Sequence, residues 1–245
     1  LGAVQTMLAQ DYPDFEVVAV NDRSTDNTLN ILKAIPQSER LKIVNIESLP
    51  AGWLGKNYAL YQGYKAANGE WLLFTDADVL FHPQTLRLAV GAALEKKLDH
   101  LVLFPKLIFK KWVEAVFAYA FMLAFYRRYR PWQAANPASK CFIGIGAFNL
   151  VKRKAYDEIG THQRLALEIL DDMRLGQLLK HKGFRQMAMF GEKFIQVRWV
   201  ENYRGVARAL EKNAFAGVQY NPFLLILATL WSLFVDVLPF LMIGF

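Results

Sequence analysis

Apolar positions along this chain fall into short continuous or alternating runs interleaved with longer stretches of helical spacing. Residues 1–10 carry helical spacing and stop before Asp11-Tyr12-Pro13, a turn signal. Residues 15–20 read as a strand that runs into the polar cluster at 21–26, where Ser24 or Thr25 can cap a helix over about 26–35. Residues 41–46 alternate as a second strand. The loop Pro50-Ala51-Gly52-Trp53-Leu54-Gly55-Lys56 then launches a helix ending near Gly69. Trp71-Leu72-Leu73-Phe74 is apolar without a break, as expected of a central strand covered on both faces. A helix over 83–96 and a strand over 100–109 follow. Residues 142–151, with Gly144-Ile145-Gly146-Ala147, form a small-residue strand or loop where another chain or ligand can come close. Residues 167–182 are helical with Gly183 in the C′ position, 184–189 form a short strand, and 203–216 form an amphipathic helix with Arg204, Arg208, Glu211 and Lys212 on its wet face. This alternation predicts an α/β fold, a mixed, mostly parallel sheet with helices on both faces.

Two stretches break the rhythm. Residues 112–126 are almost entirely apolar, with Glu114 the one charge, between Lys110-Lys111 and Arg127-Arg128-Tyr129-Arg130. That run is short of the ~20 residues a bilayer span takes. Basic ends and internal aromatics fit a helix lying in a membrane interface, with a buried core helix as the alternative. From Pro222 through Val235 there is no charge, then comes Asp236, then an apolar run kinked by Pro239. A transmembrane helix is expected there, at an insertion cost of ~3 kcal/mol for a mid-bilayer Asp236. The expected organisation is one domain over 1–216 and a transmembrane segment over 217–245. Leu1 opens the chain on a helix where an α/β domain normally opens on a strand, so a preceding strand and a continuing membrane region are expected in a longer protein.

Composition sharpens this only a little. Hydrophobic residues make up 54% and aromatics 14%, rich enough to suggest membrane contact. A net charge of +7 suits nucleic acid, anionic headgroups or phosphorylated substrates alike. The basic clusters interleave with aromatics, which would also suit single-stranded nucleic acid, but the apolar helix between them favours lipid headgroups. A single cysteine, Cys141, excludes an internal disulfide.

The chemistry gathers at strand ends. The run at 71–74 leads into Thr75-Asp76-Ala77-Asp78, two carboxylates one residue apart. In open α/β sheets, ligands bind at the carboxyl ends of the strands. Two acids there repel unless something positive, such as a hard divalent cation, sits between them. The plain alternative is a turn that caps the next helix, whose start His82-Pro83 marks. Asp171-Asp172 open a helix, as catalytic carboxylates or as acids favoured by the helix dipole. Arg198-Trp199 offer a cation and an indole, or a surface cation–π pair. Gly144 and Gly146 mark a close approach or serve packing. His82, His162 and His181 lack metal-ligand spacing and read as structural.

Taken in order, Val20-Asn21-Asp22-Arg23-Ser24-Thr25-Asp26, Thr75-Asp76-Ala77-Asp78, the 144–154 segment and Leu170-Asp171-Asp172 resemble the family 2 glycosyltransferases of GT-A fold. The likeness covers most of residues 1–216. Gly52-Trp53-Leu54-Gly55-Lys56-Asn57 together with the membrane segments is similar to bacterial members that glycosylate hopanoids, carotenoids or sphingolipid-like acceptors. The resemblance implies an inverting, metal-dependent transfer from a nucleotide sugar, with a UDP-sugar favoured. Asp172 would be the catalytic base. Asp22, Lys56, Asp76 and Arg198 would bind the nucleotide sugar, and Asp76 and Asp78 would hold Mg²⁺ or Mn²⁺. Gly144, Gly146, Asp171 and Trp199 would lie on the acceptor side. Asn21 replaces the first of the family's two acids. Ile195 stands where the Gln of the family's Gln-x-x-Arg-Trp element belongs, which argues against a standard processive polysaccharide synthase. The expected partners are a nucleotide-sugar donor, a lipid acceptor and a membrane, and no nucleic acid, with the domain on the cytoplasmic face of the inner membrane. The alternatives are a processive synthase or a non-catalytic nucleotide-binding membrane protein.

Overall fold

A computed structural model describes residues 2–36, 39–199, 205, 220–232 and 234–235, in two compact units, Leu1–Trp199 and Val200–Phe245. The first unit contains helices α1 (Gly2–Leu8), α2 (Thr28–Lys33), α3 (Gly55–Ala66), α4 (Thr85–Glu95), α5 (Trp112–Tyr129), α6 (Arg153–Glu158) and α7 (Asp171–His181). Its strands are β1 (Val17–Asp22), β2 (Leu41–Ile46), β3 (Trp71–Phe74), β4 (Leu80–Phe81), β5 (His100–Phe104), β6 (Lys106–Leu107), β7 (Asn149–Lys152), β8 (Gln186–Phe190) and β9 (Ile195–Val197).

The strands form three small sheets, ordered β1-β2, β3-β7-β5-β8 and β4-β9-β6. The α/β class stands, but the expectation of a mostly parallel sheet does not. The β1/β2, β5/β8 and β6/β9 ladders are parallel, while β3/β7, β5/β7 and β4/β9 are antiparallel. The reversal comes from β7, which enters between β3 and β5 against both neighbours. Nor is 71–74 the central strand. It lies at the edge of the four-stranded sheet and is half-buried, whereas every residue of β5 is buried. The strand expected over 100–109 divides at Pro105, which has no N–H for a ladder. Residues before it pair with β7 and β8, and residues after it pair with β9.

Helix α2 starts later than expected. Ser24 and Thr25 do not cap it; Asp26 accepts the Thr28 N–H at 3.0 Å instead. Gly183 follows α7 with φ +85°, the left-handed stop expected of a C′ glycine. Helix α5 is neither wholly buried nor free. Met122, Phe125, Tyr126 and Tyr129 pack on Val102, Phe104, Ile143 and Met173, while Trp112, Val113, Val116, Tyr119 and Leu123 face solvent. Its one acid, Glu114, is buried; it accepts the Lys110 N–H at 2.9 Å and pairs with Arg198 at 3.6 Å.

In the second unit a helix spans Pro222–Ser232. Among the described residues no helix is long and apolar enough to cross a membrane. The transmembrane helix expected over 217–245 is thus not found among the described residues, where the helix has 11 residues; residues 236–245 and most of the amphipathic helix expected over 203–216 lie outside them.

Candidate active site

The end of β3 is continued by loop contacts. Thr75 donates its hydroxyl to the Ala147 carbonyl at 2.8 Å, and the Asp76 N–H donates to Gly146 O at 2.9 Å. A Cβ on Gly146 would lie 2.6 Å from the Asp76 carboxylate, so a larger residue there would push this side chain aside. Opposite stands the first turn of α3. The Asn57 side chain, buried, donates to the carbonyls of Leu165 and Glu168 at 2.5 and 2.9 Å, and the Leu54 N–H donates to Ala166 O at 2.8 Å. These bonds staple the start of α3 to the segment that leads into α7. The staple brings Lys56 between two acids: its Nζ lies 3.2 Å from Asp76 Oδ1 and 3.3 Å from Asp171 Oδ1.

Helix α7 approaches from the other side at backbone contact distance. A Cβ on Gly144 would lie 1.8 Å from the Asp172 carbonyl oxygen, and one on Gly176 would lie 1.8 Å from Ile143 O. This glycine pair lets the 143–146 loop touch the helix backbone, so Gly144 sits beneath Asp172. The resulting cleft is lined by Lys56, Leu60, Phe74, Thr75, Asp76, Gly146, Asn149, His162, Asp171, Asp172 and Leu175. A second hollow, bounded by Lys96, Lys97 and Arg185 among others, contains none of these residues.

The two adjacent acids differ in surroundings. Asp171 is 4% exposed and faces the ammonium. Burial opposes its ionisation, but His162 and Lys56 outweigh burial and hold it below its usual value. Asp172 is half-buried, and its Oδ1 accepts the Met173 N–H at 2.7 Å. Burial and the neighbouring Asp171 charge push its carboxyl up to about 6. Burial alone would lower the Lys56 pKa; the charges of Asp171, Asp76 and Asp172 reverse that and raise it, so the side chain stays an ammonium. Two buried residues stand behind this group. Tyr156 OH lies 2.6 Å from His162 Nδ1, and His162 Nε2 lies 3.9 Å from Asp171 Oδ2. Sequence reasoning passed over His162 because no spacing pattern connects it to Asp171; only the fold does.

The remaining candidates lie around this centre. Arg23, at φ 53°, folds back onto Asp22 with two bonds of 2.7 and 3.0 Å. A Cβ on Gly55 would meet both side chains at 2.8 Å, which places Asp22 beside the residue preceding Lys56. Asn21 is turned to Asn45 across the β1/β2 ladder, at 2.8 Å. Asp78 comes two residues before β4 and does not line the cleft. The β4/β9 register pairs Leu80 with Gln196 and Phe81 with Ile195. Arg198 pairs with Glu114 of α5, and Trp199 packs on Phe121 at 4.6 Å between ring centroids.

Among the described residues no group of three or more His, Cys, Asp or Glu side chains is arranged to hold a metal ion. Of Asp76 and Asp78 only Asp76 lines the cleft, and it suits one carboxylate contact to a cation held mainly by a diphosphate. Mg²⁺ takes only one or two protein carboxylates, and Asp76 already accepts a positive charge, from Lys56, on a carboxylate that is 44% exposed.

Comparison with known proteins identifies the family and the fold. Residues 1–160 match the model of the family described as "Glycosyl transferase family 2". The poly(ribitol-phosphate) beta-N-acetylglucosaminyltransferase TarS of Staphylococcus aureus is 36% identical over 107 residues, 42% of this chain and 18% of TarS. The poly-beta-1,6-N-acetyl-D-glucosamine synthase of Staphylococcus epidermidis is 32% identical over 77 residues, 31% of this chain and 18% of the synthase. The matched segment thus spans less than a fifth of either relative. The fold is similar to that of the mannosyltransferase PcManGT of Pyrobaculum calidifontis in complex with GDP-Man and Mn²⁺, with a TM-score of 0.65 at 22% identity over 89% of this chain and 57% of the other. It is also similar to TarS in complex with UDP-GlcNAc, with a TM-score of 0.53 at 20% identity over 83% of this chain and 55% of the other. With the family's model matched from residue 1 to residue 160 and the GT-A-like α/β fold in place, this chain belongs to glycosyl transferase family 2.

Proposed function

We propose that this protein transfers one sugar, with inversion, from a nucleoside-diphosphate sugar to a lipid acceptor at the cytoplasmic face of a membrane. The observation that carries the reading is the convergence of Lys56, Asp76 and Asp172 on one cleft from three distant parts of the chain. The acceptor hydroxyl attacks the anomeric carbon, the bond from that carbon to the diphosphate oxygen breaks, and the hydroxyl proton passes to Asp172. General-base assistance of this kind contributes typically ~10²–10⁴-fold. Lys56 meets the negative charge that gathers on the leaving diphosphate. Asp76 and Asp78 would hold Mg²⁺ or Mn²⁺, which when bound neutralises that diphosphate as a Lewis acid. Asp22, beside the start of α3, receives the nucleotide base, and Arg198 adds counter-charge. UDP is the favoured nucleotide, and the UDP-GlcNAc complex of TarS supports it. PcManGT binds GDP-Man, so the donor test includes guanosine nucleotides.

The acceptor assignment rests on α5. Its solvent face carries Trp112, Val113, Val116, Tyr119 and Leu123, with Lys110 and Lys111 before them and Arg127, Arg128 and Arg130 after. Its other face packs on Met173 of α7, next to Asp172. A headgroup surface meeting that face would present its lipids beside the base.

Membranes containing the full-length protein are incubated with labelled nucleotide sugars, with and without Mg²⁺ or Mn²⁺, and the lipids are extracted. Label in the lipid fraction, one sugar per lipid by mass and only with metal, is expected. A long soluble polymer would favour the processive reading, to which the likeness to the poly-N-acetylglucosamine synthase lends support. No transfer from any donor would leave the non-catalytic alternative.

A further inference from the structure

We propose that Tyr156 and His162 are positioning residues for transfer: they fix Asp171, and through it hold the Lys56 ammonium against Asp76. The proposal rests on the reading of this cleft as the transferase site.

Tyr156, His162 and Asp171 are 0%, 1% and 4% exposed, so each polar atom must find its partner inside the protein. The Tyr156 oxygen accepts the His162 backbone N–H at 2.9 Å. Its single proton is then directed at the other close partner, His162 Nδ1, at 2.6 Å. Burial raises the phenol pKa, so that proton stays in place. With Nδ1 accepting, a neutral imidazole carries its proton on Nε2, and Nε2 is the nitrogen that faces Asp171 Oδ2 at 3.9 Å. The other carboxylate oxygen, Oδ1, faces Lys56 at 3.3 Å. Each oxygen of Asp171 therefore faces a positive or proton-bearing partner; at 3.9 Å the His162 contact is electrostatic, and together with Lys56 it biases the rotation of the carboxylate.

An aromatic shell packs around both rings. Phe74 lies 5.1 Å from both Tyr156 and His162, and Tyr64 lies 4.9 Å from Tyr156. What this arrangement supplies is aim. A lysine ammonium sits on a flexible four-carbon stem, and a charge meant for a leaving group works best when it is already in place. Asp171 provides the fixed point, and the Tyr156–His162 pair fixes Asp171.

Three variants of the full-length protein separate this role from packing. Tyr156→Phe keeps the ring and removes the hydroxyl, His162→Phe keeps an aromatic ring without its nitrogens, and His162→Gln keeps a side-chain N–H donor. With a donor that the wild type turns over, Tyr156→Phe and His162→Phe are expected to lower kcat about 10–100-fold, as loss of a ligand's supporting partner does. Donor KM is expected to stay within about twofold and His162→Gln to recover most of the loss. Two-dimensional proton–nitrogen spectra of the imidazole rings give a second readout. His162 is expected as the Nε2–H tautomer in the wild type and to lose that preference in Tyr156→Phe. A wild-type Nδ1–H tautomer overturns the proposal. So does an unchanged kcat, or a kcat that falls only with the folded fraction. A wild type that turns over no nucleotide sugar overturns the transferase reading instead, and the tautomer then decides the clamp alone.

Discussion

Asp171 ends up paired with Lys56 and Asp172 half-buried at the cleft, and the reason is their direction from the first turn of α7 rather than their chemistry. Because burial and Asp171 raise the Asp172 carboxyl to about 6, transfer should fall as pH drops through about 6, with a slope set by one proton. A pH–rate profile with no acid limb near that value would remove Asp172 as the base. The same shift has a stability consequence. A carboxyl whose folded pKa lies above its unfolded one penalises the folded state most fully above the folded value. Lowering the pH from about 6 towards the ordinary aspartate range relieves that penalty. Asp172→Asn is therefore expected to melt higher than wild type at pH 7 and to lose this advantage towards pH 4. The substitution should also cut transfer by ~10²–10⁴-fold while donor binding, measured by calorimetry, stays unchanged. Equal loss of binding would count against the assignment. At this scale the sequence showed the acids and the lysine but not their partners. Tyr156 and His162 are ordinary core residues until the fold sets them behind the cleft.

Among the elements, the informative feature is the contact between the 143–146 loop and α7. A glycine inside a helix normally weakens it, by ~1 kcal/mol against alanine, so Gly176 in sequence reads as a flaw. In the structure it is a requirement, because an alanine Cβ would sit 1.8 Å from Ile143 O, and the obstacle is backbone that cannot rotate aside. Gly176→Ala should cost ~3 kcal/mol, at the upper end of overpacking, and lower Tm by roughly 6–12 °C. A melting curve within a degree or two of wild type would show that the contact is not tight. Strand positions in sequence were largely readable, because apolar runs announce them. The neighbours of each strand were not. Pro105 divides one expected strand between two sheets, and β3 lies at an edge although its run of four apolar residues resembles a centre.

For the whole molecule, the open question is what meets the exposed face of α5. Trp112 is 77% exposed and Tyr119 65%, on a helix whose only acid is buried. If the proposed membrane docking is right, anionic vesicles carrying brominated lipids should quench the tryptophan fluorescence of the full-length protein more than that of Trp112→Phe. The difference should shrink as salt screens the flanking lysines and arginines. Equal quenching in both proteins would exclude the face. Sequence alone determined the α/β class and the positions of most strands and helices, because hydrophobic periodicity and turn residues act locally. It also singled out Asp76, Asp171 and Asp172, which the structure brings to one cleft, since an apolar strand that ends in carboxylates is informative by itself. Tertiary structure decided strand order and direction, the two-faced character of α5, the anchoring of Lys56 and the different surroundings of Asp171 and Asp172. Each of these depends on which distant groups come within a few ångströms, and contact energies between segments far apart along the chain leave no periodic trace in it.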